Sequence, residues 1–303
     1  MNIRLKCGLR HTGLSPFHRD IKALSVIVIL AIAAALVPRI AHGGNAANFV
    51  LYNHHTPEAG EMEIMLMTDI GQQPDGTRYT AQMAEFRLAI TDKFVTEFMI
   101  EGQTTSGEGG YNFTGFRWEN RYRLFEYGAF LNPVLYVEWE DLSEDTKYLM
   151  EVSGREDAPP REKKRPRERI LETRLILGRD FLENRLDVSF DWINESDMDT
   201  RVTDFGYALG LNYRLFKPKP SEAHHMGHGR SDHERNVILG LELFGALGDT
   251  DLGMTLNGSK TQHYLAPNIS VHFPSNVMVK FGGAIGLTNV SNDMFRLAVG
   301  YEF

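Results

Sequence analysis

The sequence predicts an all-β fold, a closed antiparallel transmembrane β-barrel of about twelve strands, on three observations. Apolar and polar residues alternate with period two over segments of roughly 10–12 residues, the length of a tilted membrane-crossing strand and about twice that of a globular one. Connections between segments alternate between tight and long, as where short turns face one side of a membrane and extended loops the other. An export signal precedes them all.

That signal occupies residues 1–43. Arg4, Lys6, Arg10, Arg19 and Lys22 lead into the uncharged run ALSVIVILAIAAALV at 23–37. The run is shorter than the roughly 20 residues of a spanning helix. Pro38 ends it, and the small residues Ala41 and Gly43 place cleavage after Gly43; an uncleaved anchor is the alternative. The expected organisation is then a signal at 1–43, a periplasmic N-terminal segment at 44–60 and the barrel at 61–303. Cys7 leaves with the signal, and a mature chain without cysteine has no disulfide or thiol chemistry. Cleavage leaves 26 basic against 39 acidic side chains, a net charge of −13. That balance argues against nucleic acid, which calls for a basic footprint.

The twelve strands are expected at 61–70, 78–90, 93–103, 112–124, 130–140, 168–178, 183–193, 204–215, 236–247, 262–273, 276–287 and 292–303. The clearest alternation sets Phe205, Tyr207, Leu209, Leu211, Tyr213 and Leu215 against Gly206, Ala208, Gly210, Asn212 and Arg214. In a soluble sandwich the apolar face would turn inward; in a membrane barrel it meets lipid and the polar face lines the lumen. With the first strand rising from the periplasm, the turns at 91–92, 125–129, 178–182 and 274–275 are tight, and only 216–235 on that side is long. The opposite junctions are mostly longer and rich in Gly, Asp, Asn and Ser. An even strand count puts both mature termini in the periplasm. KYLMEV at 147–152 reads as an extension within the longest outer loop. Trp118, Trp139 and Trp192 share the apolar parity and are expected in an interfacial girdle.

The last strand, FRLAVGYEF, carries Phe295, Leu297, Val299, Tyr301 and a terminal Phe303 at alternate positions. It resembles the closing β-signal of bacterial outer-membrane barrels. The resemblance implies recognition by the barrel-assembly machinery and surroundings of outer-membrane lipid and lipopolysaccharide. The stretches FTGFRWENRYRL and NPVLYVEWE resemble poorly characterised, channel- or transporter-like barrels of diderm bacteria, and imply no particular solute.

On the polar parity, Glu97, Glu101, Arg117, Glu119, Arg121, Arg123, Glu138, Glu140, Arg174 and Glu242 are the candidate pore-lining residues. Acids on the third and fifth strands flank a basic row on the fourth, so opposite charges are expected to pair across the ladder. Such a lumen either orients a charged solute or is filled by its own salt bridges, and twelve strands do not decide between them.

Histidines form two clusters on the periplasmic side: His54 and His55 before the first strand, and His224, His225, His228 and His233 with Met226 in the long loop. Imidazole and thioether suit a Cu, Ni or Zn ion, though no zinc-motif spacing is present and a solvated loop is the competing reading. The basic outer loop GREDAPPREKKRPRERI could meet lipopolysaccharide phosphates, yet its matched acids and prolines favour a solvated loop. His263, with Thr261 and Ser259 nearby, has the parity of a lipid-hydrolase histidine but no evident carboxylate. The sequence therefore reads as a non-enzymatic, passive channel or transport component for small solutes or ions. It requires no cofactor, and metal traffic is the sharper variant. A non-conducting structural or binding barrel is the alternative, and a lipid hydrolase the remote one.

Overall fold

In the computed structural model, residues 48–73, 76–107, 109–127, 129–143, 146, 166–216 and 236–303 are described. The strands are β1 (Met62–Gln72), β2 (Arg78–Thr91), β3 (Phe94–Thr105), β4 (Asn112–Arg123), β5 (Val134–Leu142), β6 (Glu168–Phe181), β7 (Leu186–Asp197), β8 (Thr203–Arg214), β9 (Asn236–Asp249), β10 (Gly253–Met254), β11 (His263–His272), β12 (Val277–Gly286) and β13 (Asp293–Glu302). Each long strand pairs antiparallel with its neighbour, and β1 pairs with β13 to close a twelve-strand barrel. The two-residue β10 pairs with the tip of β9 and stands outside that count. Closure leaves no unpaired edge among the twelve long strands, the condition for crossing lipid with strands. The last residue joins in, with the Phe303 N–H donating to the Met62 carbonyl at 2.9 Å.

Several boundaries differ from expectation, most clearly in β5, β6 and β7. β5 opens at Val134 rather than 130, because Leu124 N–H bonds the Pro133 carbonyl at 3.0 Å and Phe125 N–H bonds Asn132 Oδ1 at 3.3 Å. This turn ends at Pro133, which has no N–H to extend the ladder. β6 runs on to Phe181 and β7 to Asp197. Between them the reversal is compressed into Leu182, Glu183 and Asn184, all left-handed at φ 53, 54 and 67°. Residues 1–43 and 147–152 lie outside the described residues, as does most of the basic outer loop.

Period-two alternation becomes two unlike walls. Leu66, Ile70, Phe98, Phe281, Phe295, Leu297 and Val299 are exposed, while Glu63, Asp69, Glu97, Glu119 and Arg296 on the opposite parity are buried. An apolar surface continuing around the outside is untenable in water and is what a bilayer requires. The short turns gather at the end where β1 begins and β13 ends, which marks that end as periplasmic. Leu297 sits mid-strand on the outer face. Leu297→Arg should cost about 2–4 kcal/mol in reversible guanidinium unfolding in phospholipid vesicles. A change within the scatter of repeat melts would place Leu297 away from lipid.

The tryptophans are not at strand ends. Trp118 and Trp139 face each other in register near the middle of β4 and β5, and Trp192 is central in β7. The exposed rings near the periplasmic end include instead Tyr122, Phe125, Phe130, Tyr301 and Phe303, with Tyr111 and Phe113 at the other end. Alternation gives the face of a residue but not its depth, so the expected girdle had the right parity and the wrong members.

Candidate functional site

All ten candidate pore-lining residues are buried on the inner wall. Their pairing is in part the direct one expected, with Arg117 opposite Glu140, Arg87 opposite both Glu63 and Glu97, and Arg296 opposite Asp69. Register places Glu97 opposite Glu119, Glu119 opposite Glu138, Glu138 opposite Glu172, and Glu172 opposite Glu195. Like charges directly across a ladder repel. Where carboxylates face each other, further compensation comes from Arg121 and Arg117, which stand two residues from Glu119 on β4 and reach diagonally. Arg121 bonds Glu97 and also Glu119, the latter at 2.6 Å. Arg117 lies 3.4 Å from Glu101, 3.6 Å from Glu138 and 3.7 Å from Glu140. Arg174 bonds Glu172, and Arg87 reaches Glu97 at 2.5 Å, Glu63 at 2.7 Å and Glu85 at 2.8 Å.

The remaining charges hold the N-terminal segment. Residues 44–60, expected in the periplasm, are found over 48–56 inside the barrel, with Phe49, Val50, Leu51, Asn53, His54, His55 and Thr56 buried. The Glu242 carboxylate accepts three consecutive backbone N–H groups, Phe49 at 2.7 Å, Val50 at 2.8 Å and Leu51 at 2.6 Å. Arg296, paired bidentately with Asp69, donates to the Phe49 carbonyl at 2.9 Å, and Arg174 to that of Val50 at 2.6 Å. Tyr52 N–H bonds Asp191 at 2.8 Å, and its hydroxyl bonds Glu119 at 2.5 Å. The Tyr52 ring lies under the Arg121 guanidinium, 4.6 Å from ring centre to Cζ. At the periplasmic rim Arg123 donates to Thr56 Oγ1 at 3.0 Å and to the Asp92 carbonyl at 2.8 Å. Buried backbone groups away from water must find partners; here inward charges supply them.

Inner-wall glycines make room for the segment. A Cβ on Gly178 would sit 2.2 Å from His54 Nδ1, one on Gly210 2.2 Å from Leu51 Cδ2, and one on Gly282 2.7 Å from Phe49 Cε2. Beside the segment remains a cavity of about 90 Å³, whose lining includes the apolar Met65, Met83 and Met99 and the cations Arg117, Arg121 and Lys280.

His54 and His55 are brought against Asp180 and Asp187, at the periplasmic ends of β6 and β7. His54 Nε2 is 3.1 Å from Asp180 and its Nδ1 3.2 Å from Asp187, while His55 Nε2 is 3.0 Å from Asp180. Burial opposes the charge on His54, but hydrogen bonds to Asp180 and Asp187 outweigh it and raise its pKa to about 9. His55, buried and next to charged His54, is lowered. The other proposed metal ligands, His224, His225, Met226, His228 and His233, lie outside the described residues. Asp180 escaped the sequence reading because nothing local joins it to His54, 126 positions away.

His263 has both ring nitrogens engaged by hydroxyls, Tyr207 at 3.1 Å and Thr261 at 3.1 Å, and Ser259 bonds Asn257 instead. Neither nitrogen is turned toward a serine, as nucleophile activation needs.

A closed barrel with an apolar outside, a charged inside and its short turns at one end defines a bacterial outer-membrane β-barrel protein. The sequence matches no family model and no curated protein. Among solved structures, the barrel is similar to an outer membrane channel from Pseudomonas putida F1 (11% identity, 88% of this chain and 100% of that chain, TM-score 0.48). It is also similar to the translocator domain of the autotransporter NalP from Neisseria meningitidis (10% identity, 94% and 96%, TM-score 0.42) and to the beta domain of the Bordetella autotransporter Brka (13%, 81% and 100%, TM-score 0.43). Identities this low say nothing of a shared activity.

Proposed function

We propose that this protein is a passive, non-enzymatic outer-membrane channel for small charged solutes or ions, held closed by its own N-terminal segment. The observation that carries the reading is the attachment of residues 48–56 to the inner wall by side chains of β4, β6, β7, β9 and β13. The segment is held by hydrogen bonds and ion pairs, and the cavity beside it carries Arg117, Arg121 and Lys280 on its wall. Withdrawal of nine residues would therefore join that cavity to the periplasm. Charged walls of mixed sign then set a transverse field along the opened path.

Planar-bilayer recording of the mature barrel and of a variant lacking residues 44–56 tests this. The full protein should open rarely, and the shortened one should show frequent, long-lived steps. Silence from both across salt and pH would leave the non-conducting barrel as the better reading, which the dense ion pairing favours. Equal conductance from both would keep the channel and dismiss the closing role.

A further inference from the structure

We propose that His54 and His55 of the N-terminal segment, with Asp180 and Asp187 of the barrel wall, form a binding site for one divalent late transition-metal ion of the Zn(II), Ni(II) or Cu(II) class, which pins the segment in the lumen. The four side chains are all buried, and one ligand atom from each falls within a set spanning no more than 4.8 Å. Zinc bound to nitrogen and carboxylate oxygen at about 2.0–2.2 Å has tetrahedral edges of roughly 3.3–3.5 Å. Taking one atom from each side chain, His54 Nδ1, His55 Nε2, Asp180 Oδ1 and Asp187 Oδ2, the nitrogen–oxygen separations of 3.2, 3.0 and 3.9 Å bracket that edge. Two imidazoles and two carboxylates are a borderline donor set, suited to these ions rather than to the all-oxygen preference of Ca(II) or Mg(II). Two carboxylates also cancel the ion's double charge, so the filled site is neutral in a buried place where net charge is costly.

The site is divided between two parts of the chain. Adjacent His54 and His55 supply one half, and Asp180 and Asp187, flanking the tight β6–β7 turn, supply the other. Neither half alone holds more than two ligands, so the ion binds only while the segment is seated. Gly178 keeps the wall open for His54 at this point, since a side chain there would occupy the imidazole's place. The pinning consequence rests on the closed-channel reading; the binding does not.

The test is a calorimetric titration of Zn(II) into chelator-stripped, refolded mature barrel, with the folded state of every variant checked by heat-modifiable gel migration. A single saturable site of micromolar affinity or better is expected. Asp180→Asn with Asp187→Asn, and separately His54→Ala with His55→Ala, should weaken it at least about tenfold, that is by about 1.4 kcal/mol or more. The fourfold variant His224→Ala, His225→Ala, His228→Ala and His233→Ala should retain it. Zinc-edge X-ray absorption of the wild-type barrel should show two imidazole nitrogens with oxygen ligands, and this readout stands even if a variant fails to fold. Absence of saturable binding, or binding lost only with the four loop histidines, would overturn the assignment. A barrel that binds zinc but never conducts would refute the channel and leave the site intact.

Discussion

Glu242→Ala is expected to raise the open probability of the barrel by roughly a hundredfold. One carboxylate accepts the N–H groups of Phe49, Val50 and Leu51 within 2.6–2.8 Å, and all of these groups are buried. Hydrogen bonds to a charged partner contribute about 1.5–3 kcal/mol each, but three that share one acceptor do not add in full. A net loss of about 3 kcal/mol shifts a closed–open equilibrium by roughly two powers of ten. Glu242→Gln keeps an acceptor without the charge and should have a smaller effect in the same direction. Gly210→Leu reaches the same end by sterics, because even its Cβ would meet Leu51, and it leaves Glu242 in place. Single-channel open probability is the readout, with protease cleavage within 44–56 as its companion. Unchanged opening in both Glu242→Ala and Gly210→Leu would mean that the segment's seat does not set the closed state.

What could be read from the residues was whatever depends on local periodicity. Strand number, inner and outer parity and the identity of the buried charged residues follow from alternation, because a side chain in a strand has only two faces. Phe295, Leu297, Val299, Tyr301 and Phe303 point outward, and Glu97 through Glu242 inward, for that reason alone. Register does not follow from alternation. It decides that Glu97 stands opposite Glu119, and so that Arg121 must reach diagonally. The fate of residues 48–56 was illegible for another reason: the segment has no period, and its partners Glu242, Asp191 and Asp180 lie more than a hundred positions away. A weak signal did exist. Gly178, Gly210 and Gly282 fall on the inner parity, where a barrel filled by side chains has no need of gaps, and each gap is taken by the segment. Three unpartnered hollows on an inner wall imply something that fills them.

Arg121→Leu should cost about 3–5 kcal/mol, because it leaves buried carboxylates uncompensated. Arg121 is the cation that touches both Glu97 and Glu119, which face each other directly across β3 and β4. Arg87 would still neutralise Glu97, and Tyr52 would still donate to Glu119, but Glu119 would stand between Glu97 and Glu138 with no arginine of its own. Adding Glu119→Gln should recover most of the loss, since it removes the charge that Arg121 balances. The double-mutant cycle isolates the pair from the lost arginine stem. Reversible unfolding in phospholipid vesicles at low and high salt supplies the numbers. A coupling that persists in high salt marks a lumen from which mobile ions are excluded, as a seated N-terminal segment requires. Exposed pairs, by contrast, are worth about 1 kcal/mol or less and fade as salt screens them. A coupling that small in the full-length barrel would show a lumen already open to water, and the same cycle repeated without residues 44–56 should then give the same value. If the segment is the closure, the coupling is large and salt-resistant in the intact barrel and falls when the segment is removed.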